Sequence, residues 1–294
     1  MKNLTILLIL SIPFLGCEKE IFLDDNDINP QVVVNSIFNT DSTWSILLSE
    51  SRPLLSNEDL PNITNGKIRL LDPNGVLLGE FNNNLDGSYT LNSPTPSENM
   101  SYQIEVDVPN FDLVTAKSNA PKHVNVVSID TSSNFSAYTF DFDIKIQDEK
   151  NAKNYYSVSV YTMSYWIDFE TNDTIYYQST GFTTSEPYVV NVYSDITTNE
   201  RYGDEFFFSD ELFDGGVIKF GAKANLSFDE NGAIYVVAVK SFSEEAYKYL
   251  VSLAKYREAD GDFFAEPVQV ISNIENGLGV FGGVSEKTTT IIYE

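Results

Sequence analysis

Lys67-Ile68-Arg69-Leu70-Leu71-Asp72-Pro73-Asn74-Gly75-Val76-Leu77-Leu78-Gly79-Glu80 sets two short β-type runs around a tight turn, with Pro and Gly at positions that turns favour. The same pattern extends in both directions. Upstream, Val32-Val33-Val34 opens one run, and Trp44, Ile46 and Leu48 alternate in another. Downstream, Asp86-Gly87 introduces Ser88–Leu91, Tyr102, Ile104 and Val106 alternate, and Asp112–Lys117 follows. Seven runs in about ninety residues, with turns every ~8–12, predict an immunoglobulin-like β-sandwich over residues 31–120.

Ala120-Pro121-Lys122-His123 reads as the boundary of this sandwich. Beyond it the runs lengthen: Tyr138–Gln147, Tyr155–Ile167, Thr174–Thr180, Tyr188–Tyr193, Val217–Ala222 and Ile234–Phe242, with Asp229-Glu230-Asn231-Gly232 as a hairpin signal before the last. Residues 121–294 are therefore expected to form a second, larger β-sandwich or barrel-like domain. A single helix, 243–258, interrupts the strands. Ser243 suits the N-cap, and Glu244 and Glu245 suit the positive end of the dipole. Ala246, Tyr249, Leu250, Leu253 and Ala254 form its apolar stripe, so it should cover a sheet face or a barrel end. The fold class is all-β with one amphipathic covering helix.

The amino terminus carries an address. Met1-Lys2-Asn3 is a short positive region, and Leu4–Leu15 is apolar apart from Thr5 and Ser11, with Pro13 near its end. These 12 residues are too few to span a bilayer, which takes ~20, and fit a cleavable signal peptide over 1–16. Phe14-Leu15-Gly16-Cys17 resembles the bacterial lipobox, and Cys17 is the sole cysteine. Cys17 is read as the lipidated residue, its palmitate-type acyl chains the only membrane attachment expected. Residues 17–30 form a tether whose acidic cluster, Glu18, Lys19, Glu20, Asp24 and Asp25, resembles a surface-export signal. With 43 Asp+Glu against 18 Lys+Arg and a net charge of −25, the chain should repel nucleic acid and anionic lipid.

Most catalytic constellations fail on residue inventory. His123 is the sole histidine and falls in the inter-domain loop, which removes any multi-His metal site and reads as a surface histidine. Gly277-Leu278-Gly279 with Gly282-Gly283 offers the spacing of a dinucleotide loop but precedes no helix, so its glycines are expected to serve tight turns. Calcium is weighed and not assigned. Asn82-Asn83-Asn84-Leu85-Asp86-Gly87 matches the opening of an EF-type loop, but position twelve is Ser93 where a bidentate Glu belongs. Asp210, Glu211 and Asp214 form a second acidic loop, read as solvated.

Aromatics are the informative surplus. Alternation in Tyr155–Ile167 puts Tyr156, Val158 and Val160 on one face and Tyr155, Tyr161, Met163 and Tyr165 on the other. The second face is too aromatic for plain solvent exposure. Tyr155, Tyr161 and Tyr165 are candidates for a glycan platform or a partner contact, with packing against the helix 246–254 or the first domain as the structural alternative. In Phe206-Phe207-Phe208 at least one ring must leave the core face, which implies a buried edge or an interface.

The chain also resembles a known family. The residues that carry the likeness are Cys17-Glu18-Lys19-Glu20-Ile21, Val32–Ile37, Leu47-Leu48-Ser49, Asn154-Tyr155-Tyr156, Phe208–Gly215, the helix Glu245–Leu253, Ala265-Glu266-Pro267, Asn273-Ile274 and Gly277–Phe281. Together they are similar to an outer-membrane lipoprotein family of Bacteroidota that is known as a domain of unknown function. The resemblance implies an N-terminal sandwich, a β-rich second part and a genetic neighbourhood of TonB-dependent receptors. It brings no catalytic residues. The expectation is a non-enzymatic accessory or binding subunit of an outer-membrane uptake complex, facing the cell surface, with a β-barrel receptor as partner and no cofactor beyond the lipid. A free-standing glycan- or nutrient-binding module is the alternative, and a two-carboxylate hydrolase is a third.

Overall fold

The computed structural model describes residues 29–40, 42–52, 59–134, 138–167, 170–190, 200–225, 233–259 and 265–293. Cys17 and the cluster Glu18, Lys19, Glu20, Asp24 and Asp25 lie outside these residues, as does the turn Asp229–Gly232. What is described is all-β with one long helix, as the alternation requires.

Eight strands lead through the first half: β1 Val32–Asn39, β2 Trp44–Glu50, β3 Lys67–Leu71, β4 Leu77–Glu80, β5 Asn82–Asn83, β6 Ser88–Leu91, β7 Ser101–Asp107 and β8 Val114–Asn119. One sheet runs β5-β6-β2-β1, and the other runs β4-β3-β7-β8. Strict alternation in β1 and β2 sends Val32, Val34, Trp44, Ile46 and Leu48 inward, where they meet Ile68, Leu70, Ile104 and Val106. Phe38, Trp44 and Tyr102 form the aromatic centre, with Phe38–Trp44 centroids 4.7 Å apart and Trp44–Tyr102 4.8 Å apart. The buried indole N–H is satisfied by the Pro94 carbonyl at 2.6 Å.

The second half comprises β9 Asn125–Asn134, β10 Thr139–Gln147, β11 Tyr155–Ile167, β12 Thr174–Thr180, β13 Phe182–Thr184, β14 Arg201–Gly203, β15 Phe206–Ser209, β16 Val217–Asn225, β17 Ala233–Phe242, helix α1 Glu244–Ala259 and β18 Leu278–Tyr293. The sheet β14-β13-β16-β10-β9 packs on a sheet containing β12-β11-β17-β18, with β15 pairing the first residues of β11. Between them lie Phe142, Ile144, Val158, Phe206, Phe208, Phe220, Tyr235 and Val237. Of the run expected at Tyr188–Tyr193, the described part contributes only an isolated bridge, from Val190 to Phe207.

β18 belongs to both sandwiches. Its first residues, Leu278–Val284, pair in parallel with Val33–Asn39 of β1, and Val284–Tyr293 pair antiparallel with β17. A division at residue 120 therefore leaves the C-terminal strand on both sides, because Ile274 and Phe281 sit in the first core. The glycines expected to make tight turns lie instead within or beside this strand, where backbones touch. A Cβ on Gly279, at φ +106°, would fall 2.1 Å from the Val34 carbonyl oxygen. One on Gly283 would fall 2.3 Å from that of Asn119, and one on Gly282 would strike Ala246 of the helix.

Helix α1 starts where Ser243 caps it: its Oγ accepts from the N–H of Ala246 at 3.2 Å and also from that of Gly283 at 3.0 Å. The face it buries is rotated from the expected stripe. Ala246 and Tyr247 are buried with Leu250 and Val251 against them, whereas Tyr249 and Leu253 stay half-buried. Ala246, common to both stripes, sits on Gly282, and the rings of Tyr155, Phe207 and Phe242 take up the Tyr247 side.

Candidate functional site

The three tyrosines singled out on β11 form no single site. Tyr155 and Tyr165 are ten steps apart along the strand, roughly 33 Å. Tyr155 is under the helix, its ring stacked on Tyr247 at 4.6 Å, with Phe207 and Phe242 completing the cluster. Burial, with the negative Glu244 beside it, pushes the Tyr155 hydroxyl up to about 12. The structural alternative therefore holds for Tyr155, and Phe207 is the ring that leaves the core face, into this same cluster. Phe206 and Phe208 point the other way, both fully buried. Tyr161 is half-buried, opposite Val236 of β17. Tyr165 lies beyond the pairing with β17, whose last pair is Met163–Ile234, and is in register with Tyr176 of β12.

Of the two loops weighed for calcium, the first is closed on itself and the second is tied to the β10–β11 connection. Asp86 Oδ1 accepts from Ser88 N at 2.9 Å and Ser88 Oγ at 2.6 Å, which holds the carboxyl below its usual range. Asn83 Oδ1 accepts from Leu85 N at 2.8 Å, so this loop is a hairpin connection. Asp210 is not solvated, as expected, but buried, and it leads to a polar knot that the sequence reading missed. Asn154 donates to Asp210 Oδ2 through its backbone N–H at 2.8 Å and its amide at 3.2 Å. The same amide lies 3.2 Å from Asp148 Oδ1, which also accepts the Tyr156 hydroxyl at 2.8 Å, and Asp148 Oδ2 accepts from Gly215 N at 2.7 Å. Burial raises the Asp210 carboxyl and the Asp148 charge adds to it, against the Asn154 hydrogen bonds. Two stretches that carried the family resemblance, Asn154-Tyr155-Tyr156 and Phe208–Gly215, thus meet in one knot. Among the described residues no group of three or more His, Asp or Glu is arranged to hold a metal ion.

Above the knot, where the sandwiches join, lies a cleft of about 410 Å³. Its walls are the end of β8, the linker 121–124, the start of β9, the β10–β11 connection and the end of β17. Lys122 pairs with Glu149 across it, and His123 Nε2 lies 3.1 Å from Glu98 Oε1. His123 Nδ1 lies 2.6 Å from Ser285 Oγ, which gives an outline of Ser-His-acid. Ser285 has no exposed surface, so its Oγ meets no substrate, and the contact ties the linker to β18. Gln147 is held by the carbonyls of Asp148, Gly215 and Gly216 at 3.1–3.3 Å. Among the described residues no helix is long and apolar enough to cross a membrane.

Likeness to solved structures is slight. A two-domain fibronectin type-III segment of chicken tenascin is 12% identical over 72% of this chain and 91% of its own, at a TM-score of 0.22. The BSP domain of a biofilm-associated protein is 10% identical over 94% of this chain and 62% of its own, at 0.19. Neither value supports an argument, and the fold rests on the strands themselves. No curated protein matches the chain. A family model does: the one described as Domain of unknown function (DUF4249) matches residues 18–290, and the chain belongs to that family.

Proposed function

We propose that this protein is an exported lipoprotein, anchored through Cys17 to the outer membrane of a Bacteroidota cell and facing outward, where it serves as a non-enzymatic subunit of a TonB-dependent-receptor-type uptake complex. The observation that carries the reading is the shared strand β18. A strand that pairs into both sandwiches couples them through backbone hydrogen bonds on each side, which favours a fixed relation of their outer surfaces over hinge motion. A preorganised body suits docking onto a partner better than chemistry that needs domain closure. The lipobox-like Phe14–Cys17 and the acidic stretch after it supply the address.

Affinity capture of the full-length protein from membranes in mild detergent should recover a β-barrel membrane protein in stoichiometric yield. Recovery of the lipoprotein alone would sink the reading. Cys17→Ala should give a folded body released from the membrane fraction. If the variant still sediments with membranes, the lipid is not what attaches it.

A further inference from the structure

We infer that the cleft at the junction of the sandwiches is a binding site for a neutral, hydroxyl-rich ligand, a short oligosaccharide of one to a few units. The inference does not rest on the proposed docking to a barrel, and either can fail alone.

Size and rigidity come first. At about 410 Å³ the cleft lies at the lower end of the ~300–1,000 Å³ spanned by small-ligand pockets. Both sandwiches line it, and β18 together with the Asp148–Asn154–Asp210 knot holds its floor, so it is formed before any ligand arrives.

Charge then narrows the ligand. In a chain of net −25 an anionic ligand meets a repelling field. Lys122 is held by Glu149, the His123 ring lies against Glu98, and Lys153 feels Glu244, which itself pairs with Lys248. The carboxylates are answered too, because Asp148 accepts from Tyr156, Asn154 and Gly215, which leaves little for a cation to gain. What the cleft offers instead is amide. Asn99, Asn119 and Asn125 line it, and among the described residues their side chains have no partner within the protein. Each carboxamide both donates and accepts, which matches a pair of adjacent hydroxyls that also do both. Asn99 is presented from a left-handed backbone, φ 59°, fixed by its N–H to the Ala120 carbonyl at 2.9 Å, so its amide is aimed without a mobile loop. Tyr155 and Phe242 border the same wall, but their rings are committed to the cluster under the helix, so recognition rests on the amides.

The test is calorimetric titration of the detergent-solubilised full-length protein. The probes are neutral di- to tetrasaccharides cut from xylan, mannan, arabinan, galactan and glucan, with sulfated and uronic-acid oligosaccharides alongside. At least one neutral series should saturate one site per chain. Asn99→Gly, which keeps the backbone conformation and removes the amide, and Asn125→Ala should each weaken binding tenfold or more while the thermal unfolding midpoint stays near that of the parent. Tyr161→Ala, far from the cleft, should leave binding unchanged. The inference is overturned if no neutral series binds, if only the charged oligosaccharides bind, or if Asn99→Gly and Asn125→Ala bind as the parent does.

Discussion

Gly279 and Asp210 show how single residues act here through their backbone or their burial. At Gly279 a methyl group would need the space of the Val34 carbonyl, and an L-residue would also be strained at φ +106°. Gly279→Ala should therefore cost about 1–3 kcal/mol or more, read as a lowered urea midpoint with unchanged slope. Asp210 titrates above the ordinary carboxylate range because it is buried beside Asp148. A raised folded-state value contributes stability that is present below the unfolded value and lost as pH rises through the folded one. The stability of the parent relative to Asp210→Asn should accordingly improve as pH falls from 7 towards 4 in paired denaturation curves. Glu244, held low by Lys248, works in the opposite sense and loses its contribution as pH falls. The sequence names both Gly279 and Asp210 but not their roles. Glycine spacing does not say which backbone comes close, and an acidic loop looks solvated until Asn154, 56 residues away, is folded onto it.

At the scale of elements, strands were the legible part. Alternation located β1, β2, β3, β7, β10 and β16, because one face of each is more deeply buried than the other, and β11 by its aromatic and β-branched run. The bulk of β18 was not legible: Gly279, Gly282 and Gly283 and the polar stretch Ser285–Thr290 obscure its period, and its partners lie far away in the chain. The helix was legible in position and cap but rotated in its face. Its periodicity admits neighbouring stripes that share Ala246, and the ring cluster of Tyr155, Phe207 and Phe242 takes up the Tyr247 side. Tyr247→Ala should thus cost about 3 kcal/mol by removing the ring between Tyr155 and Phe207, whereas Tyr249→Ala should cost about 1 kcal/mol or less. Chemical denaturation of the two variants separates the faces, and equal losses would restore the expected stripe through Tyr249. Of the candidate site, the sequence pointed to Tyr155 but not to the cleft, whose walls come from segments that adjoin only after both sandwiches close.

Across the whole molecule, stability should be cooperative. Phe281 packs on Phe38 at 5.0 Å in the first core, and the same strand continues beside β17 of the second. Asn273 fastens its start, donating to the Phe281 carbonyl at 2.8 Å and accepting the Phe281 N–H at 3.0 Å. Ending the chain after Asn276 should abolish cooperative unfolding in both halves, seen as coincident loss of near-ultraviolet circular dichroism from Trp44 and from the tyrosines. A first sandwich that survives this truncation would show that the parallel pairing of β1 with β18 is dispensable. The parallel register also sets an order of events during synthesis. Val33 pairs early with β2 but cannot find Leu278 until the segment that carries β18 has been made, so one edge of β1 waits for a distant partner. Were the chain exported as proposed above, such a delay would keep the amino-terminal half from closing before translocation.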